Sequence, residues 1–266
     1  MAKTFLVWPF VRGLIITACA MLAAPAGANA ATMRIAFEDR EQYPYYLGEG
    51  DAIDWDRPGI SVEIVKKVAE DLGIEVVFLR QPWKRCLISL GSGQVDAIFN
   101  SSFVKDRMWY GVYPGTIRVP DPYYRIATIS YSLYRQKGSA ASWDGEQLTG
   151  VEGPIGAVLG YSIVDDLKRM GIKLEEVGSS RQNLVKLAIG RVSGVVLQTV
   201  TGDQLLKSGA FPTIERVDPP IVTKAYYLLM SRAFVRDNPD MAARFWLKIA
   251  ELRDKMTAQL IHKYTD

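Results

Sequence analysis

Cysteine and histidine are scarce in this chain. Two cysteines and one histidine occur in 266 residues, and one of the cysteines, Cys19, falls in a leader-like start. Cys86 then stands alone, so no intramolecular disulfide is available. His262 builds neither a histidine-based triad nor a metal site by itself, and near the C-terminus it reads as solvated. An excess of one charge is lacking too, since 32 Lys and Arg against 29 Asp and Glu give +3. Without the two basic residues of 1–30 the balance is about +1, which lends no support to nucleic-acid binding. Low-complexity tracts and coiled-coil heptads are absent. What is present is a folded composition, 48% hydrophobic and 23% charged, in a chain long enough for two small cores.

Residues 1–30 read apart from the rest. Lys3 and Arg12 give a basic start, 13–24 are apolar, and Ala-Gly-Ala-Asn-Ala at 26–30 places small residues where a signal peptidase reads. The apolar stretch is short for a bilayer. An uncleaved anchor over 5–24 would enclose Arg12 at a cost of a few kcal/mol. Lipidation at Cys19 is the third option, because Ile16-Thr17-Ala18-Cys19 loosely resembles a lipobox, but the hydrophobic tail after Cys19 argues against it. The expectation is a signal peptide cleaved near Ala30, followed by export.

The most informative stretch is 87–107. Leu87 and Leu90 close a helix, Gly91-Ser92-Gly93 stop it, and 95–99 form a short buried strand. The polar step Asn100-Ser101-Ser102 follows, then Arg107. Ligands of open α/β sheets bind outside the carboxyl ends of strands, so these side chains mark a binding cleft. A weaker copy lies about a hundred residues on: Leu184 and Leu187, Gly190, a strand from Val192 and a polar step at Gln198. Any two βα units share that rhythm; the sharper reading is two similar α/β lobes offering strand ends to one cleft.

The remaining elements alternate. A strand over 33–37 ends at Glu38, and a long aromatic loop, 40–58, carries enough Tyr and Trp to be ordered. A helix from Gly59 to Leu72 and a strand over 75–79 complete a parallel βαβ unit. A helix starts at Pro82, 110–124 is irregular, and 126–134 is a strand leaving the first lobe. After a turn-rich insert, 139–153, come a strand 155–158, a helix 163–170, a strand 174–177 and a helix 182–189. A helix over 200–206, a short strand 214–217 and an extended run 226–230 precede the terminal helix near Pro239. Its Phe245, Ile249, Leu252, Met256 and Leu260 recur at helical spacing and face a core.

Single residues leave alternatives open. Arg107 is either a solvated loop charge or an anion ligand at a strand end. Trp83 is a core residue or a stacking platform, and Arg85 a surface cation or a second anion ligand. Ser162 reads as an N-cap, a role compatible with binding; Tyr43 covers the lobe or the ligand. Asp165 and Asp166 sit in a first helical turn, where carboxylates suit the dipole.

From Met33 onward the chain resembles the family 3 periplasmic solute-binding proteins of the amino-acid-binding type. The resemblance rests on MRIAFE, the Tyr-Pro loop, a Gly-led helix ending in LG, a Trp before L-x-x-L-x-x-G-x-V-D-A, the following Ser and Arg, and Asp121-Pro122-Tyr123-Tyr124. Pro-Trp-x-Arg at 82–85 marks a separate branch. The resemblance implies an α/β, two-lobed, type II periplasmic binding protein fold with two crossovers. A first lobe would span 31–126 plus 227–266, and a second 127–226. It implies a carboxylate on Arg107, hydrogen bonds from Asn100 and Ser102, stacking on Trp83, a Tyr43 lid and Ser162 from the second lobe. Glu38 matches an acid that meets a cationic ligand side chain. The second-lobe acid that pairs with an α-ammonium falls on Gln198, which cannot neutralise a cation. The implied role is periplasmic capture of a small polar solute for an ABC permease by a monomer, with no cofactor and no metal. A ligand sensor for a membrane receptor, or a dehydratase or lyase using Glu38, are the alternatives.

Overall fold

The computed structural model describes residues 1–4, 32–116 and 119–265. The signal peptide, its cleavage near Ala30 and the lipidation of Cys19 therefore fall almost wholly outside the described residues. Strand β1 (Thr32–Glu38) leads through the long loop to helix α1 (Ile60–Leu72), strand β2 (Glu75–Gln81), helix α2 (Trp83–Gly91) and strand β3 (Ala97–Ser102). Strand β4 (Ala127–Gln136) leaves this unit, and a small hairpin of β5 (Ser142–Trp143) and β6 (Leu148–Thr149) follows. Then come β7 (Ile155–Val158), α3 (Ile163–Arg169), β8 (Leu174–Val177), α4 (Ser180–Ala188), β9 (Gly194–Gln198) and α5 (Thr199–Lys207). Strand β10 (Ile214–Met230) returns to the first unit, where α6 (Arg232–Asp237) and α7 (Pro239–Thr265) end the chain.

One eight-stranded sheet runs in the order β2-β1-β3-β10-β4-β9-β7-β8. Its ends are alike: β2, β1 and β3 are parallel, and so are β8, β7 and β9. Between them β10 and β4 run antiparallel to each other and to their neighbours. Two α/β lobes are thus joined by two long crossing strands. The repeat seen in the sequence has a structural counterpart, because α2–β3 and α4–β9 each deliver a strand beside a crossing strand.

Apolar periodicity explains the packing. Ile64, Val65 and Val68 of α1 and Phe245 and Ile249 of α7 are fully buried over the first lobe, and α1 packs on α7. The Trp246 Nε1 of α7 also donates to Leu228 O of β10 at 2.8 Å. Leu184, Leu187, Val195 and Leu197 form the matching cluster in the second lobe. Gly59 opens α1 at φ 109°, where a Cβ would collide with the backbone of Tyr45 and Tyr46, so only glycine fits.

Several elements differ from the sequence reading. β3 begins and ends later than 95–99, because Ser101 and Ser102 pair with Tyr227 and Tyr226 of β10 and carry the strand through the polar step. β10 is one strand where two were read. Its pairing with β4 skips from Val217 to Val222, looping out Pro219 and Pro220, which have no N–H for a ladder. Helix α6 was not anticipated, although Ser231 caps it by accepting the Phe234 N–H at 3.1 Å. The 40–58 loop is held from within: the Arg80 guanidinium donates to Leu47 O, Ala52 O and Gly48 O at 2.9, 2.9 and 2.5 Å. Among the described residues no helix is long and apolar enough to cross a membrane.

Candidate functional site

The carboxyl ends of β1 and β3 meet the second lobe at a cavity with about 210 Å³ of empty space, counting the part open to solvent. The geometry starts with a bulge. Between the pairs Ser101–Tyr227 and Ile98–Leu229, Phe99 and Asn100 oppose Leu228 alone. Asn100 takes φ 54°, and no other described non-glycine residue has a positive φ; Asn tolerates this region better than most. Beyond the bulge, Asn100 and Ser102 line the cavity, while Ser101 Oγ turns to Tyr113 Oη at 3.1 Å. The Asn100 Nδ2 donates to Gln42 Oε1 at 2.7 Å. Its Oδ1 and the Trp83 Nε1 are buried with no protein partner, a cost of about 1–3 kcal/mol each that a ligand relieves.

Arg107, in a short 3-10 turn after β3, is 6% exposed. One of its terminal nitrogens donates to Ser102 O and Oγ at 2.9 and 3.2 Å, the other to Gly160 O of the second lobe at 3.0 Å. Its guanidinium carbon lies 5.1 Å from the centre of the Trp83 ring, in cation–π contact. Ser162 begins α3 but does not cap it with its side chain. Instead its hydroxyl accepts from Ser102 Oγ at 2.7 Å and from Lys224 Nζ at 3.2 Å. Lys224 is also ion-paired with Asp166. Burial pulls the Lys224 ammonium below its ordinary pKa, and Asp166 opposes that.

Glu38, at the end of β1, is 4% exposed. Its Oε2 accepts from Tyr46 Oη at 3.0 Å and, across the seam, from Tyr161 Oη at 2.5 Å. Burial raises its pKa to about 7 against the pull of the two hydroxyls. Gln198, ending β9, donates to Tyr131 Oη and Tyr226 Oη at 3.4 and 3.3 Å, and those hydroxyls lie 2.6 Å apart. These two tyrosines come from β4 and β10.

Of the nine residues singled out in the sequence, Glu38, Trp83, Asn100, Ser102, Arg107, Ser162 and Gln198 line the cavity together. Arg85 is exposed on α2 and does not. Tyr43 is buried away from it: its hydroxyl donates to Tyr264 O, and its carbonyl accepts from Thr201 Oγ1 at 3.1 Å. The aromatic contributed by that loop is Tyr46, with Gln42 beside it. Tyr131 and Tyr226 were also missed as site residues, and Tyr161, which the resemblance implies only as part of the helix start Tyr161-Ser162, lines the cavity with its side chain. Tyr131 and Tyr226 had only their inward place on crossing strands as a signal, and Tyr161 its position before Ser162. Among the described residues no group of three His, Cys, Asp or Glu could hold a metal ion.

Solved structures with the same architecture are distant in sequence. A histidine kinase sensor domain with similarity to periplasmic binding proteins has a TM-score of 0.68 at 20% identity, covering 89% of this chain and 96% of its own. An amino acid ABC transporter substrate-binding protein from Streptococcus pneumoniae, bound to L-arginine, has a TM-score of 0.66 at 16% identity, covering 88% and 94%. An ancestral amino-acid-binding protein, a precursor of cyclohexadienyl dehydratase, has 0.66 at 14%, covering 89% and 96%. No curated protein matches the sequence significantly. The profile of one family, however, matches residues 39–265, with the two-lobed fold and the cleft at the strand ends in agreement. The chain belongs to the bacterial extracellular solute-binding proteins, family 3, and has the type II periplasmic binding protein fold.

Proposed function

We propose that this protein captures a small, polar, carboxylated solute between its lobes and presents it to an ABC-type permease, acting by binding and not by catalysis. It works in the periplasm as a monomer once the signal peptide is cleaved near Ala30. The first lobe comprises 31–126 and 227–266, the second 127–226. The observation that carries the reading is Arg107, a guanidinium buried at the seam with no acidic partner among the described residues. Its planar fork matches a carboxylate, and the Ser102 and Ser162 hydroxyls beside it supply further donors. The solute meets Arg107, Asn100, Ser102 and Trp83 first. Ser162 and Gln198 then close over it by hinge rotation about the crossing strands.

A charge-assisted hydrogen bond contributes about 1.5–3 kcal/mol. Arg107→Ala should therefore weaken binding of a carboxylated solute by one to several powers of ten, measured by titration calorimetry. Unchanged affinity would remove Arg107 from the site and leave the proposal without its anchor.

A further inference from the structure

Tyr161 holds a place that no other described residue shares. Besides the cavity it lines two larger crevices along the seam. One has about 1220 Å³ of empty space, counting the part open to solvent, between Arg40 and Glu49 of the first lobe and Arg181 and Gln204 of the second. The other has about 720 Å³ by the same measure, between Lys84 and Asp106 on one side and Asp165 and Lys168 on the other. Tyr161 is the only wall common to the cavity and the larger crevice. Arg107 shares with it the boundary to the smaller one. Tyr161 also packs against all three apolar clusters of the molecule.

The ring is tethered at both ends. Its hydroxyl donates to Glu38 Oε2 at 2.5 Å, and its backbone N–H donates to Val158 O at 3.1 Å. The residue before it, Gly160 at φ 78°, gives its carbonyl to Arg107 at 3.0 Å. Two of these bonds end on the first lobe, so they form only as the lobes shut. We infer that the Tyr161 ring is the wall that sets the length of the solute. A solute that stops inside the ring lets Tyr161 reach Glu38, and the lobes close over it. One that runs on toward the crevices holds the ring off Glu38 and is rejected by a clash, the repulsive half of specificity. Length is thus judged at closure, by a contact that differs between the open and closed forms. This inference rests on the proposed capture of a carboxylated solute by Arg107.

The test uses the full chain and carboxylates graded in length. The ladders are the dicarboxylates from malonate to azelate, the ω-amino acids from glycine to 8-aminooctanoate, the straight-chain α-amino acids from alanine to 2-aminooctanoate, and glycine to tetraglycine. Thermal shift finds the binders and calorimetry ranks them. In a closed pocket one methylene is worth about 10–200-fold, so on at least one ladder wild-type affinity should drop at least tenfold at a single rung. Tyr161→Ala should move that drop two or more rungs toward longer probes. Tyr161→Leu, which keeps apolar bulk at the three clusters should the alanine variant not fold, should move it by at least one. Tyr161→Phe keeps the ring and loses only the bond to Glu38, so it should weaken the rungs by a common factor and leave the drop where it is. Urea transitions establish that each variant is folded. A drop at the wild-type rung in both truncated variants overturns the inference, and so does a drop that moves as far in Tyr161→Phe as in Tyr161→Ala. Wild-type binding along every ladder with no drop overturns it as well. In these three cases affinity lost in Arg107→Ala leaves the proposed function standing. Binding of no probe by any of the proteins overturns both.

Discussion

Glu38 is held in the folded chain in a place that disfavours its charge. Its pKa of about 7 lies above the ordinary carboxylate value of about 4.3, so between these two values the folded chain binds more protons than the unfolded one. Stability is therefore fully supported below about pH 4.3 and falls as pH rises through about 7. At 1.36 kcal/mol per pH unit, the carboxylate costs on the order of 3 kcal/mol at pH 8. Glu38→Gln keeps the shape and an acceptor for Tyr46 and Tyr161 but has nothing to ionise. Urea titrations at pH 5 and pH 8 should show the variant more stable than wild type at pH 8 and close to it at pH 5. An identical pH slope in both proteins would place the titration on another group.

Helix α5 sets propensity against packing. Gly202 lies inside it, and an isolated helix would gain about 1 kcal/mol from alanine there. In this fold the added Cβ would meet the Tyr134 ring closer than real Cβ atoms come. That ring cannot swing aside cheaply, because its hydroxyl donates to Thr199 O at 2.8 Å and also meets Asp203 Oδ1 at 2.9 Å. Overpacking of this kind costs about 1–3 kcal/mol, so Gly202→Ala should lower the urea midpoint; a raised midpoint would show that α5 shifts freely on β4. Such pairs of elements also explain what the sequence disclosed. β7 and β8 were read to the residue, since four apolar or alternating residues between glycines admit few other readings. Of the seven cavity residues found in advance, all but Arg107 of the 3-10 turn sit at or near strand ends or helix starts, positions marked by local pattern. Tyr131 and Tyr226 escaped because their role depends on the crossing of β4 and β10, a contact between residues 95 apart. Tyr43 misled for the converse reason: its neighbour is the far end of α7, which no local signal announces. The bulge at Asn100 was equally hidden, being a matter of register with β10.

At the scale of the molecule, hydrogen bonds that span the seam between the lobes include Ser102 to Ser162, Arg107 to Gly160, Tyr161 to Glu38 and Thr201 to Tyr43. They surround a cavity whose groups a solute would share, so closure and capture draw on the same donors. Only differential contact can favour the closed form, and neutral second-lobe groups make that difference small and adjustable. The two seam hydroxyls at 2.7 Å offer a direct handle, because side-chain atoms that close suit a disulfide. In the double variant Ser102→Cys, Ser162→Cys, mild oxidation should consume two thiols. It should also reduce the radius of gyration by small-angle scattering and abolish uptake of any solute that the reduced form binds. The buried native Cys86 stays reduced and serves as the internal count. If the new thiols stay titratable under oxidant while the protein remains folded, the seam does not close in solution. Hinge capture would then give way to a fixed, open groove. If they crosslink without blocking uptake, the solute enters by a route other than the seam, and the assignment of Arg107 to the point of entry fails with it.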